Sequence, residues 1–276
     1  MNQSVGYFNG EWRSNNDFFI PLMERGMKFG NGIFETILIL EGKPQLLKEH
    51  FNRWNQGAEL LKMNCPPATF YVENLIQEAI KRLSLFDTSG YIRINWCRKN
   101  LAASGINILP ENQDDSNYYF WLEAIHSKPY FKEIDVMISK NEKRNADSLL
   151  SKCKSFGYLQ SIQARQEARS AGYDDALMLS TNGKICCGTT SNLIIKRKGE
   201  YLTPMLNTGC LPGIMRGQGL KLRIIKEAEI EHVPEINDEW LLINSLSCQP
   251  IKKLNDQPLK ITTNAKNFWS KLLQDS

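Results

Sequence analysis

The chain has 276 residues, of which 42% are hydrophobic and 23% are charged, an ordinary composition for a soluble globular protein. Its 34 basic and 30 acidic residues leave a net charge of +4, a balance that argues against a nucleic-acid-binding protein. Seven scattered cysteines without a C-x-x-C motif, and three histidines far apart in sequence, argue against a metal site and indicate reduced thiols in a reducing compartment.

The amino-terminal stretch MNQSVGYFNGEW has neither the basic start nor the apolar run of a signal peptide. No apolar segment approaches the ~20 residues that a membrane-spanning helix needs. We therefore expect a cytoplasmic protein that binds neither membrane nor nucleic acid.

The first half of the chain predicts hairpins and helices in turn. Asn9-Gly10 and Glu41-Gly42 each separate two strand-like runs and predict hairpin turns. A helix is predicted from about Lys48 to Lys62, where apolar residues recur at helical spacing, and a second over residues 68–85. The runs GYIRINWCR (90–98) and YYFWLEAI (118–125) predict strands.

The second half begins with a predicted strand, EIDVMIS (133–139), and a helix within residues 155–172 that Gly172 ends. A strand meander is predicted over residues 174–204, and a helix over LPGIMRGQGLKLRIIKEAEI (211–230). Late strands over 239–254 and a final helix over 267–274 complete the prediction. This mixture indicates an α+β fold of two domains, residues 1–126 and 133–276, joined by a linker over 127–132.

Two features are suited to binding a carbonyl compound and an anion. Lys154, in SKCKSFGY, leads directly into a helix, and a sheltered lysine loses its proton more easily and becomes able to form an imine. Lys152 is its rival for that role. Leu211-Pro212-Gly213 precedes a helix whose first backbone N–H groups and dipole favour a phosphate. Taken alone, a surface lysine and an ordinary helix start explain the same residues.

Two further features could also hold an anion. Arg53 follows His50 by one helical turn and can offer a forked pair of donors to a phosphate. Ser245, in Asn244-Ser245-Leu246-Ser247 after an apolar strand, carries a hydroxyl for the same purpose. Separately, a solvated helix face and a strand end are the simpler interpretations.

In this order, the segments F-G-N-G-I-F-E-T, H-x-x-R, KSFGYLQSIQARQEA, G-T-T-S-N-L and G-I-M-R resemble the class IV pyridoxal-phosphate enzymes over about residues 7–250. That family includes branched-chain and D-amino-acid aminotransferases and aminodeoxychorismate lyases. The resemblance implies a two-domain, D-amino-acid-aminotransferase-like fold, pyridoxal 5'-phosphate at the domain junction and a homodimer. It implies that Lys154 holds the cofactor covalently and moves protons. The implied cofactor-binding residues are Arg53, Tyr158, Gly213, Ile214, Met215 and Ser245, and Arg98 and Phe34 are our candidates for substrate binding.

The segment GKICCGTTSN departs from this family at one position. The family places a glutamate against the pyridine nitrogen, and here that position is Cys187. A thiol has a reference pKa of ~8.5 against ~4.3 for a glutamate, so a neutral Cys187 brings no charge to hold a proton on that nitrogen. We expect this change to suit elimination better than transamination.

Three functions follow from the resemblance. The first is a lyase that converts 4-amino-4-deoxychorismate to 4-aminobenzoate and pyruvate, as in folate synthesis. The second is an aminotransferase that acts on branched-chain or D-amino acids. The third is a degenerate homologue without catalytic activity, an alternative that Cys187 keeps open.

Overall fold

The structure, a computed structural model, describes residues 4–21, 24–99, 105–107 and 115–274. It divides into two compact units. Unit 1 is Met1–Lys128 with Cys153–Gly157, and unit 2 is Pro129–Lys152 with Tyr158–Ser276. We predicted that the carboxyl-terminal domain carries Lys154, whereas this division groups Lys154 with unit 1. The mixed helices and sheets confirm the predicted α+β class.

Unit 1 is built on a six-stranded sheet with the strand order β2-β1-β6-β5-β3-β4. Two long helices, α2 and α3, pack on one face of this sheet and share a core with it. The elements are β1 (Ser4–Phe8), β2 (Glu11–Arg13), α1 (Arg25–Phe29), β3 (Gly32–Leu40), β4 (Lys43–Pro44), α2 (Leu47–Leu60), α3 (Thr69–Arg82), β5 (Ser89–Arg98) and β6 (Tyr118–His126).

The hairpin turns and helical stripes of unit 1 follow from the sequence. Asn9 and Gly10 have φ values of 51° and 86°, the left-handed pair that a tight hairpin turn requires. In α2 the apolar residues Phe51, Trp54 and Ala58 are buried at helical spacing. On β3 the alternate residues Ile33, Ile37 and Ile39 enter the same core, so the intervening residues face the other side of the sheet.

Unit 2 is built on a nine-stranded sheet with the order β12-β11-β10-β13-β14-β7-β8-β9, where β15 pairs with β14. Strand β9 also pairs with β10, so β10, β13, β14, β7, β8 and β9 close into a ring. The elements are β7 (Ile134–Arg144), α4 (Leu159–Ser170), β8 (Asp175–Ser180), β9 (Ile185–Gly188), β10 (Asn192–Arg197), β11 (Glu200–Pro204), α5 (Ile214–Lys221), β12 (Ile225–Ala228), β13 (Glu239–Asn244), β14 (Ser247–Leu254), β15 (Gln257–Pro258) and α6 (Ala265–Leu273).

Two clusters of buried apolar residues lie in the described part of unit 2. Every strand of the ring contributes to the larger cluster, which contains Leu177, Ile185, Leu193 and Trp240 among others. The smaller cluster, here called the thiol cluster, consists of Met137, Ala164, Ala168, Ala176, Met178, Cys186, Cys187 and Cys210, with Tyr173 packed against it. It brings residues of α4 together with residues of β7, β8 and β9.

One predicted helix of unit 2 is shorter than expected. We predicted that it covers residues 211–230, but α5 ends at Lys221. Ile225–Ala228 instead forms β12, which pairs in parallel with β11. Tertiary pairing therefore overrides the helical propensity of the KEA segment. Among the described residues, no helix is long and apolar enough to cross a membrane.

Candidate active site

The segment around Lys154 pairs with β3 through an isolated bridge, on the side of β3 away from β5. Ser155 forms an antiparallel bridge with Ile33. The Phe34 N–H donates to the Lys154 carbonyl at 3.0 Å, and the Phe156 N–H donates to the Gly32 carbonyl at 2.9 Å. This register places Lys154 opposite Phe34 and Cys153 opposite Glu35. Because opposed residues of antiparallel strands share a face, Lys154 and Phe34 project to the same side of the sheet.

The Lys154 ammonium lies over the Phe34 ring, with Nζ 4.2 Å from the ring centroid. Arg93, from β5, lies against the same ring, with its guanidinium carbon 3.7 Å from the centroid. Two cations therefore flank one aromatic side chain on the sheet face away from α2 and α3. The rival Lys152 is exposed, whereas Lys154 is partly buried.

A chain of polar side chains holds Arg93 in place. Arg93 Nε donates to Asn95 Oδ1 at 2.8 Å, and Asn95 Nδ2 donates to Glu123 Oε1 at 3.3 Å. Trp121 Nε1 donates to the same carboxylate oxygen at 2.8 Å. Asn95 is completely buried, so its two hydrogen bonds fix the direction of the Arg93 guanidinium.

Arg98, our sequence candidate for a substrate carboxylate, lies on the other face of the same strand. It is separated from Arg93 by five residues, and side chains alternate along a strand. Arg98 is buried, and its Nε donates to the Tyr118 hydroxyl at 3.1 Å, while Nη2 donates to the Lys62 carbonyl. The structure therefore groups Phe34 with Lys154 and Arg93, and it places Arg98 in a different, interior environment.

Arg53 takes part in a buried network that the sequence analysis missed. Glu35 accepts from Arg53 Nε at 2.7 Å and from Arg53 Nη2 at 2.7 Å, and its Oε2 lies 2.7 Å from His50 Nδ1. Burial alone would raise the pKa of Glu35, but the charges and hydrogen bonds of Arg53 and His50 outweigh it and lower that pKa to about 2. The ionised carboxylate only accepts, so the His50 Nδ1 carries the proton.

His50 stays neutral in this network at neutral pH. Burial lowers its pKa below the usual 6.5, and the attraction of Glu35 offsets that effect only in part. The positive charges of Arg53 and Lys154 lower the pKa of His50 further. Glu35 and Arg53 thus form the charged pair, and His50 is a neutral donor to it.

In unit 2, Cys187 lies in the thiol cluster opposite Met178, and a β-bulge brings Cys186 into the same cluster. Met178 pairs with Cys187, but the next residue of β8, Leu179, pairs with Ile185, so Cys186 is an extra residue. Neighbouring residues of a regular strand face opposite ways. The bulge instead turns both into the same cluster, with their sulfurs 3.7 Å apart, and both are free cysteines.

Asn192, on β10, contacts the segment that leads into α5. Asn192 pairs with Cys187 across the two strands, and its Nδ2 donates to the Leu211 carbonyl at 2.9 Å. A Cβ at Gly213 would lie 1.8 Å from Asn192 Oδ1, so any other residue there requires Asn192 to move. Gly213 is the N-cap residue of α5, and it has no side chain that could accept a hydrogen bond from the first turn. The backbone N–H groups of Ile214 and Met215 lie in the first turn, where no intrahelical acceptor exists.

The turn that contains Ser245 lies beside the turn that joins β9 to β10. Asn244 Nδ2 donates to Ser191 Oγ at 3.1 Å. Asn244 Oδ1 accepts from the Leu246 N–H at 2.8 Å and from Ser247 Oγ at 3.0 Å. The segments that carry Cys187 and Ser245 are therefore connected within unit 2. Tyr158 is the residue immediately before α4 and is partly buried.

Each unit by itself contains groups suited to part of an aldehyde-bearing phosphate ester. Unit 1 has a partly buried lysine and a buried arginine network, and unit 2 has a helix that starts at a glycine. Sequence reasoning assigned no role to Glu35, and it chose Arg98 rather than Arg93 for the substrate carboxylate. Strand alternation was a signal for Arg93, a carboxylate within an apolar strand was a signal for Glu35, and Asn192 lay in the quoted segment GKICCGTTSN without a role of its own.

Comparison with known proteins assigns the family. The class IV aminotransferase family model matches residues 32–254, so the chain belongs to this family. Class IV aminotransferases depend on pyridoxal phosphate, which confirms the cofactor prediction.

Individual relatives differ in the activity for which they are named. The chain is 29% identical over 231 residues to a putative branched-chain-amino-acid aminotransferase of Methanocaldococcus jannaschii, covering 83% of this chain and 77% of that protein. It is 24% identical over 261 residues to the aminodeoxychorismate lyase of Bacillus subtilis, covering 91% and 86%. The branched-chain aminotransferase of Thermoproteus uzoniensis has the same fold, with a TM-score of 0.85 at 20% identity and coverage of 97% and 93%.

Proposed function

We propose that this protein is a pyridoxal-phosphate-dependent lyase that releases pyruvate from 4-amino-4-deoxychorismate and forms 4-aminobenzoate. The observation that carries the choice of a lyase is Cys187, which stands where the family pattern has a glutamate and is buried in the thiol cluster. The relationship to the Bacillus subtilis lyase supports the same reaction.

Each proposed cofactor contact comes from a residue whose place in its own unit is known. Lys154 attaches the cofactor covalently, and its amine lies beside the Phe34 ring, with Nζ 4.2 Å from the ring centroid. By the family pattern, the proposed phosphate contacts are Arg53, the N–H groups of Ile214 and Met215, and the hydroxyl of Ser245. Tyr158 contacts the ring oxygen.

The cofactor, when bound, supplies a ring that withdraws electrons from the reacting carbon, most strongly when its nitrogen carries a proton. Cys187 brings no permanent charge to that nitrogen, unlike a glutamate. Loss of a leaving group disperses negative charge as it develops, so elimination depends less on this proton than amino transfer does. Lys154 then serves to move a proton at the reacting carbon.

Arg93 is the proposed anchor for a substrate carboxylate, in preference to Arg98. Its guanidinium is fixed by Asn95 and lies on the same aromatic ring as Lys154. An arginine suits a carboxylate because its planar donors can bind both oxygens. Replacing Arg93 by Gln should raise KM for the substrate more than it lowers kcat.

The test of the reaction compares two assays on the purified holoenzyme. Pyruvate release from 4-amino-4-deoxychorismate supports the lyase. Amino transfer from a branched-chain or D-amino acid to 2-oxoglutarate, without pyruvate release, would instead establish the second candidate. The name of the Methanocaldococcus jannaschii relative favours that second candidate.

A substitution at Cys187 tests the physical argument. Cys187→Glu should raise any amino-transfer rate, because the carboxylate keeps the ring nitrogen protonated. Cys65→Ser, at an exposed cysteine, is the control and should leave both rates unchanged. Unaltered amino transfer in Cys187→Glu, with cofactor bound as in the wild type, would show that this residue does not control the reaction.

A further inference from the structure

Glu35 is a charged residue in the middle of an apolar strand. Its β3 neighbours on the same face, Ile33 and Ile37, are 1% and 0% exposed, and Glu35 itself is 0% exposed. Burying an ion pair in such a place seldom stabilises a fold more than apolar residues of similar size would. The network of Glu35, His50 and Arg53 therefore calls for an explanation other than stability.

The three members of this network differ in their access to the surface. The side chains of Glu35 and His50 are 0% and 2% exposed, whereas that of Arg53 is 10% exposed. The carboxylate and the imidazole thus lie behind the guanidinium. The cation is the member that an external anion can approach.

The hydrogen bonds to Glu35 fix the plane of the Arg53 guanidinium. Two parallel hydrogen bonds, both of 2.7 Å, hold the Nε and Nη2 edge of the guanidinium. His50 Nδ1 fixes the same carboxylate from another direction. A guanidinium held by two bonds to a carboxylate that is itself held cannot rotate or withdraw without breaking the network.

We propose that Glu35 is a positioning residue, which holds the Arg53 guanidinium in one orientation so that it binds a phosphate monoester. This inference rests on the proposed phosphate contact of Arg53 and extends it to Glu35 and His50. Glu35 also offsets the cost of keeping the arginine charge at a nearly buried place. A phosphate cannot use the Nε and Nη2 edge, because Glu35 already occupies it.

The test measures binding of pyridoxal 5'-phosphate and of pyridoxal to the full-length apoprotein. The two probes differ only by the phosphate, so the ratio of their affinities reports the phosphate contact alone. A charge-assisted hydrogen bond is worth about 1.5–3 kcal/mol, or roughly tenfold to a hundredfold in affinity. Glu35→Gln should reduce the ratio by about this factor, and Arg53→Gln should do the same.

Two further variants distinguish a positioning role of Glu35 from a purely structural one. Glu35→Asp keeps the charge, so it should reduce the affinity ratio less than Glu35→Gln does. The double variant Glu35→Gln with Arg53→Gln should lower the ratio no further than Arg53→Gln alone, because both changes remove one contact. A purely structural Glu35 would weaken both probes equally and leave the ratio unchanged.

The outcomes distinguish this inference from the proposed site. An unchanged ratio in Arg53→Gln would overturn the phosphate contact itself. A reduced ratio in Arg53→Gln with a wild-type ratio in Glu35→Gln would overturn only the positioning role. If Glu35→Gln does not fold, Glu35→Asp and His50→Gln provide the same comparison, and wild-type ratios in both would refute the proposal.

Discussion

Glu35 shows how one buried carboxylate makes folding depend on pH. Its pKa is lowered to about 2 in the folded protein from an ordinary value of 4.5. A lowered pKa means that the folded state favours the ionised form. The stability that the folded protein gains from ionised rather than protonated Glu35 is therefore fully present above pH 4.5. It is lost as the pH falls towards 2.

The residue-scale prediction compares acid unfolding of wild type and Glu35→Gln. A pKa difference of this size corresponds to about 3 kcal/mol of unfolding free energy. Wild type should lose about this much more stability than Glu35→Gln between pH 5 and pH 2, measured by urea unfolding at each pH. Glu59→Gln, at an exposed position of α2, should follow the wild-type curve. Parallel curves for wild type and Glu35→Gln would refute the assigned charge state.

At the scale of the element, α5 contains two glycines in opposite situations. Gly213 precedes the helix, and a Cβ there would lie 1.8 Å from Asn192 Oδ1. Gly217 is an exposed residue within the helix, and a Cβ there would meet no atom within 4 Å. At Gly213 a larger residue is opposed by the close approach of Asn192. At Gly217 glycine has only its low helix propensity as a consequence.

We predict that alanine at these two glycines changes the free energy of unfolding in opposite directions. Gly217→Ala should stabilise the protein by about 0.5–1 kcal/mol, because alanine restricts the unfolded chain and suits a helix interior. Gly213→Ala should destabilise it by about 1–3 kcal/mol, because Asn192 must move and release the Leu211 carbonyl. Thermal or urea unfolding of the two variants measures both effects. Equal stability in both variants would mean that Asn192 does not hold the helix start.

The elements that the sequence predicts well are those with local signals. Residues close in sequence determine the turns at Asn9-Gly10 and Glu41-Gly42 and the apolar stripes of α2 and α3. The bulge at Cys186 was not predictable, because it depends on the register of β8 against β9. The early end of α5 depends in the same way on the pairing of β12 with β11.

The candidate site shows the same limit. The family motifs identified Lys154, Arg53 and the start of α5 from sequence. They did not separate Arg93 from Arg98, because alternation shows that the two lie on opposite faces of β5 but not which face carries Lys154. Only the pairing of Ser155 with Ile33 determines that. The pairing of Glu35 with Arg53 likewise joins a strand to a helix 18 residues away.

At the scale of the whole molecule, cofactor binding should be linked to stability. A ligand that binds only the folded state stabilises it by about 2.7 kcal/mol at a concentration one hundred times its Kd. Pyridoxal 5'-phosphate should therefore raise the Tm of the apoprotein. In Lys154→Ala, which lacks the covalent link, the rise in Tm should be smaller than in wild type. In Lys152→Ala the rise should equal that of wild type. An equal rise in all three proteins would show that Lys154 makes no contribution to binding.

The most direct test of the whole account is to identify the lysine that carries the cofactor. The holoenzyme is treated with sodium borohydride, which makes the lysine link permanent, and is then digested and analysed by mass spectrometry. The account predicts one reduced pyridoxyl phosphate group per chain, on Lys154. A label on Lys152, or a protein that retains no label after reduction, would contradict it.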